Sequence, residues 1–186
     1  MMVNKNWFSD FVDMIGKFKI KWTCLARSED ITISTADRMK KAGCQEVFLG
    51  IETGSSRLLA LMHKRATVRQ NIGAINVLRM AGIKSCAYMM FGFPGENQES
   101  VNETIDFLEV TSPDKSRISQ FLPVPGSDVY NNPERYGVKI KFDPDNFWYF
   151  DKHNLCVDYG NNEEMVRLRE LIMQYYKERG YQDGWA

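Results

Sequence analysis

KKAGCQEVFLGIE, Lys40 to Glu52, and RMAGIKSCAYMMFGFPGE, Arg79 to Glu96, share one plan. Each opens on a basic stretch closed by Ala-Gly. A short link follows, then an apolar run, then glycine and glutamate. The pattern is a helix that stops, a strand, and a tight turn, given twice. A chain that leaves a strand through a helix re-enters the sheet in the same direction, so this repeat predicts parallel strands with right-handed crossovers.

The same reading extends both ways. Residues 8–17 place Phe8, Phe11, Val12 and Ile15 on one helical face, and residues 19–25 alternate as a strand does. Ser34 or Thr35 is expected to cap a helix over about residues 36–42, which Gly43 ends. Helices are predicted over residues 56–62, 68–81 and 98–110, with acidic Glu96 and Glu99 near the positive end of the last. Strands are predicted over residues 46–51, 83–91 and 116–122. From Asn131 the chain turns irregular and aromatic, with Phe147-Trp148-Tyr149-Phe150 expected to cover a sheet edge or barrel end. A final amphipathic helix over residues 163–179 shows Met165, Leu168, Ile172 and Tyr175 on one face. The predicted fold class is α/β: a partial, TIM-like (β/α) barrel fragment with about four parallel strands, an irregular C-terminal segment and a final helix. Residues 1–130 form the barrel part, and residues 131–186 an extension packed on it.

Composition narrows the function. The chain has 186 residues, 44% hydrophobic and 26% charged, with 24 basic and 24 acidic side chains. A neutral balance argues against a protein built to neutralise nucleic-acid phosphates. No apolar run approaches the roughly 20 residues that span a bilayer, and a cytoplasmic location is expected. The cysteines, Cys24, Cys44, Cys86 and Cys156, are too scattered for a local zinc or iron–sulfur motif. They read as buried or incidental thiols, and no metal ligand is assigned. His63 and His153 are too few for a histidine metal site, and Met89-Met90 read as core.

Ligands of such folds bind at the carboxyl ends of the strands. Four ends are readable: Arg27; Gly50 to Ser55; Gly92 to Glu96; and Pro123 to Ser127. Three are glycine-bearing turns, where backbone N–H groups approach a ligand closely and favour an anion. Glu52 and Arg27 bring opposite charges to this rim, either toward a ligand or toward each other. The residues alone leave open a small-molecule enzyme, a non-catalytic binding or scaffold module, and a phosphate-binding barrel.

WTCLARSEDIT, MKKAGCQEVFLGIETGSSRLLALMHK, LRMAGIKSCAYMMFGFPGENQES and FLPVPGSDVY, in this order, resemble radical S-adenosylmethionine (radical SAM) enzymes over residues 22–130. The likeness is greatest to the branch of anaerobic cyclases and methyltransferases that often carries a cobalamin domain. It implies strands three to six of a (β/α)₆ barrel, S-adenosylmethionine and a [4Fe–4S] cluster in the parent protein, and cobalamin as a further candidate. The family's C-x₃-C-x₂-C run is absent from this sequence, so the chain by itself is expected to be inert. The strand over residues 19–25 would then be an exposed edge, open to self-association. Small molecules, not membranes or nucleic acids, are the implied partners.

The resemblance also implies site residues. Glu52 faces the ribose or methionine end of the cofactor, Ser55 lies in the next turn, and Lys64 pairs with the cofactor carboxylate. Met90, Gly92 and Phe93 offer backbone to the adenine, and Pro125 lies in the turn bordering adenine and substrate. Arg27 is a rim or substrate contact. Tyr88 stands where some relatives place an aspartate for the ribose hydroxyls.

Overall fold

The apolar runs lie side by side. The computed structural model of the protein describes residues 5–141 and 157–183. Helix α1 (Lys5–Gly16) precedes β1 (Trp22–Ala26), a 3₁₀ turn (Ser28–Asp30) and α2 (Ile33–Lys41). Then come β2 (Cys44–Glu52), α3 (Ser56–Leu61), α4 (Val68–Met80), β3 (Lys84–Phe91), α5 (Gln98–Thr111) and β4 (Lys115–Gln120). A short helix α6 (Asp128–Asn131), a 3₁₀ turn (Pro133–Tyr136) and two brief strands, β5 (Lys139–Ile140) and β6 (Val157–Asp158), lead to α7 (Asn162–Arg179) and β7 (Gln182–Asp183). Strands β1-β2-β3-β4-β7 form one sheet, and every neighbouring pair in it is parallel. This is the expected partial barrel, with a fifth strand that two residues were too short to announce.

Helix starts follow local chemistry. α2, α4 and α5 each open on a reciprocal capping box: Thr32 with Thr35, Thr67 with Gln70, and Asn97 with Ser100. The cap of α2 therefore lies earlier than Ser34 or Thr35. Thr32 Oγ1 accepts the Thr35 N–H at 3.1 Å, and Thr35 Oγ1 accepts the Thr32 N–H at 3.1 Å. Strand β1 starts later than residue 19, because Lys19 is left-handed (φ 52°) and turns the chain out of α1.

Helices α1, α2, α4, α5 and α7 pack on one face of the sheet. Val47, Leu49, Ile51, Ala87, Met89, Phe91 and Ile118 point into that core from the strands, against Met39, Ile75, Leu78, Val101 and Leu108 from the helices. Phe8, Val12 and Ile15 of α1 join the same core, and the Phe11 ring meets Trp22 edge-on at 5.5 Å. β1 remains the outer strand of the sheet. α7 buries Met165, Leu168, Ile172 and Tyr176. Tyr176, rather than Tyr175, completes the face because its hydroxyl meets Ser116 of β4 at 2.7 Å, giving a buried polar group its partner. Phe147-Trp148-Tyr149-Phe150, His153 and Cys156 lie outside the described residues.

The turn after β2 is stitched to α5. Thr53 and Thr104 hydroxyls meet at 3.0 Å, and the Gly54 N–H donates to Thr104 Oγ1 at 3.0 Å. A Cβ on Gly54 would stand 2.3 Å from the Glu103 carbonyl and 2.7 Å from Thr104 Cα, both backbone atoms that cannot yield alone. Gly54→Ala is expected to destabilise the protein by roughly 2–3 kcal/mol through overpacking, read as a lowered urea midpoint. An unchanged midpoint would show that α5 moves freely from the turn.

Candidate functional site

β2 ends on a bulge between Gly50 and Glu52, and Glu52 is left-handed (φ 69°). That conformation costs a non-glycine residue about 1 kcal/mol. Glu52 Oε1 accepts from Lys64 Nζ at 2.5 Å, both side chains half-buried. The pair lies over Gly50: a Cβ there would come within 3.1 Å of Glu52 Oε1 and 3.5 Å of Lys64 Nζ. A side chain at Gly50 would press on the ion pair. Of the two alternatives for Glu52 and Arg27, pairing with each other is not found; Arg27 lies 4.0 Å from Glu29 instead.

Beside this pair a cavity of about 520 Å³ opens, its polar lining made by Arg27, Ser28, Glu29, His63, Lys64 and Arg65, basic residues outnumbering the one acid. Ser28 is 4% exposed, and its buried Oγ has no hydrogen-bond partner. An unsatisfied buried hydroxyl on the wall of a cationic cavity suits an anionic oxygen of a ligand. Sequence reading missed Ser28, because a lone serine carries no pattern.

The turn after β3 is arranged differently. Gly92 is left-handed (φ 85°), and its N–H donates to Glu96 Oε2, while its carbonyl accepts from the Tyr159 hydroxyl. Arg57 Nη2 donates to the Gly95 carbonyl at 2.7 Å. The turn thus carries its own acceptor, and a phosphate has no free Gly92 N–H to meet. Burial pushes the Glu96 carboxyl up to about 7, against the downward pull of the Gly92 N–H, the Arg57 charge and the Phe93 N–H. Glu96 had been legible only as a helix-dipole acid.

Of the other anticipated residues, Tyr88 and Met90 are half-buried on the sheet face away from the main helices, and Pro125 is exposed at the rim. Phe93 turns its ring inward against Phe121 at 5.0 Å, so only its backbone borders the rim. Ser55 is 0% exposed, and its N–H donates to Thr53 Oγ1; it is withdrawn from the cavity. The described cysteines, Cys24, Cys44 and Cys86, are buried, and burial raises the Cys86 thiol with help from Glu46. Among the described residues no group of three His, Cys, Asp or Glu is placed to hold a metal. Nor is any helix among them long and apolar enough to cross a membrane.

A family model described as the radical SAM superfamily matches residues 5–108. The chain belongs to that superfamily. An uncharacterised methyltransferase of Pyrococcus horikoshii is 32% identical over 111 residues, which are 60% of this chain and 24% of the relative. The anaerobic magnesium-protoporphyrin IX monomethyl ester cyclase of Rubrivivax gelatinosus is 29% identical over 141 residues, 74% of this chain and 24% of the relative. The chain thus spans about a quarter of the length of these curated relatives. Among solved structures, coproporphyrinogen III oxidase from Escherichia coli superposes with a TM-score of 0.69 at 13% identity, over 97% of this chain and 38% of that one. The methyltransferase TsrM from Kitasatospora setae, solved with cobalamin and a [4Fe–4S] cluster, gives 0.56 at 18% identity, over 62% of this chain and 23% of that one. These two likenesses concern the radical SAM fold.

Glu96 generates a pH test. Its folded pKa, about 7, lies above the ordinary value of 4.5, so folding favours the protonated form. That contribution is present below the unfolded pKa and is lost as pH rises through the folded one. Between about pH 5 and about pH 8 the wild type is expected to lose stability relative to Glu96→Gln, which keeps an acceptor for Gly92 without the charge. Urea midpoints across this window check it; parallel curves would rule out the titration.

Proposed function

We propose that this chain supplies one side of the S-adenosylmethionine pocket of a radical SAM enzyme whose chemistry is of methyltransferase or oxidoreductase type. The carrying observation is the Glu52–Lys64 pair folded over Gly50 at the end of β2, with a mainly basic cavity and the unpartnered Ser28 hydroxyl alongside. Lys64, oriented by Glu52, receives the cofactor carboxylate, and Ser28 Oγ offers a donor on the same wall. The backbone from Met90 to Phe93 and the turn at Pro125 border the adenine. Tyr88 leaves the ribose without the acid that some relatives use there. When bound in such enzymes, S-adenosylmethionine supplies the precursor of a hydrogen-abstracting radical. The described residues do not fit a [4Fe–4S] cluster: their cysteines are buried and ungrouped. Cluster ligation and any cobalamin therefore belong, in this reading, to other parts of the protein. A phosphate-binding barrel is disfavoured by the Glu96 carboxyl group, which already accepts the Gly92 N–H.

Equilibrium dialysis of the full chain with S-adenosylmethionine tests the pocket. Lys64→Ala is expected to weaken binding about tenfold, through loss of a charge-assisted contact. Equal binding by wild type and Lys64→Ala would overturn the assignment. Anaerobic incubation with iron and sulfide is expected to give no visible cluster absorption on this chain.

A further inference from the structure

The sheet has a second face, turned away from the main helix layer. Parallel register sets Leu25 beside Phe48, Phe48 beside Cys86 and Cys86 beside Lys115. One step toward the rim it sets Gly50 beside Tyr88 and Tyr88 beside Arg117. Leu25 is 58% exposed, Phe48 and Tyr88 are half-buried, and Arg117 is exposed. The Tyr88 ring lies against Phe48, the two stacked at 5.6 Å with their planes 20° apart. The result is a flat apolar shelf beside the charged side chains Lys115 and Arg117.

The charges beside the shelf are unequal. Lys115 is engaged: its Nζ donates to Glu46 Oε2 at 3.1 Å and lies 2.8 Å from Oε1. Arg117 forms no hydrogen bond or ion pair among the described residues, and Lys115 and Cys86 are the groups whose titration it influences. A guanidinium held beside a second cation, with no carboxylate of its own, is a site for an external one. Its planar fork matches a carboxylate bidentately, where an ammonium would act as a point charge. The shelf lies two residues, about 7 Å, below Met90 along the strand, so an occupant would sit just beneath the rim.

We propose that Phe48, Tyr88 and Arg117 bind the substrate, and that the substrate is a planar, conjugated molecule carrying a carboxylate. The ring system lies on the Phe48–Tyr88 shelf, and the carboxylate meets Arg117. The shelf's place beneath the cofactor rests on the reading of the rim as the S-adenosylmethionine pocket; its chemistry does not.

The test uses three probes on the full chain, followed by ligand-observed NMR titration: 2-naphthoate, the neutral 2-naphthamide, and cyclohexanecarboxylate, which has the charge without the flat ring. Naphthoate is expected to bind about tenfold more tightly than either control. Arg117→Gln should remove its advantage over the amide, with the urea midpoint unchanged because Arg117 is exposed and unpaired. Phe48→Leu should weaken both naphthyl probes, and Tyr88→Leu should do the same. Equal binding of naphthoate and naphthamide, indifference to Arg117→Gln, or no saturable binding of naphthoate would each overturn the proposal. Ser28→Ala, at a residue that lines the cavity and not the shelf, separates the two sites. It should leave naphthoate binding intact, and a loss there would place the probe at the rim and sink the shelf. Failure of S-adenosylmethionine to bind, with the naphthoate pattern intact, would sink the rim reading alone.

Discussion

Parallel pairing is the constraint from which the rest of this molecule follows. β2, β3 and β4 run the same way, so each must be joined to the next by a chain that crosses back over the sheet. Those crossovers are α4 and α5 in the helix layer, and they seal one face with Leu49, Ile75, Leu78, Phe91 and Leu108. The carboxyl ends of the strands then gather into a single rim, and the other face keeps its Phe48, Tyr88 and Arg117 side chains clear of that core. Site and scaffold are thus separated by geometry before any particular residue is chosen.

The rim is held by unlike devices. After β2 the backbone is pressed onto α5 at Gly54 and folded back at Glu52, which leaves a charged pair poised over Gly50. After β3 the turn is filled from within by Glu96 and tied from outside by Arg57 and Tyr159. Two turns that look alike as sequence therefore differ in what they offer. One opens onto a cationic cavity, and the other presents a wall whose polar groups are already used.

Much of this was legible in the sequence, for a physical reason. Strand periodicity, Ala-Gly helix stops and apolar helix faces are local signals, and they placed β2, β3, α4, α5 and the rim turns. Three-dimensional pairing was harder to read. Lys64 reaches Glu52 because α3 is short and turns back at left-handed His63, which no pattern in Arg27 or Glu52 reveals. Ser55 looked available and is buried, since its burial is decided by α5, some fifty residues away. Thr32 outcompeted Ser34 as a cap through a reciprocal bond that only the folded backbone makes possible. β7 gave no signal because two residues cannot show a period.

The far edge of the sheet has a kinetic consequence. Ser116 and Tyr176 are 60 residues apart in the chain, yet their hydroxyls meet inside the core, and α7 delivers β7 to the open side of β4. Closing so long a loop costs entropy before any contact repays it, so this docking comes after the local βα units have formed. Until then β4 presents a row of unpaired amides. Whenever α7 and β7 are undocked, that edge is open to mispairing with another chain.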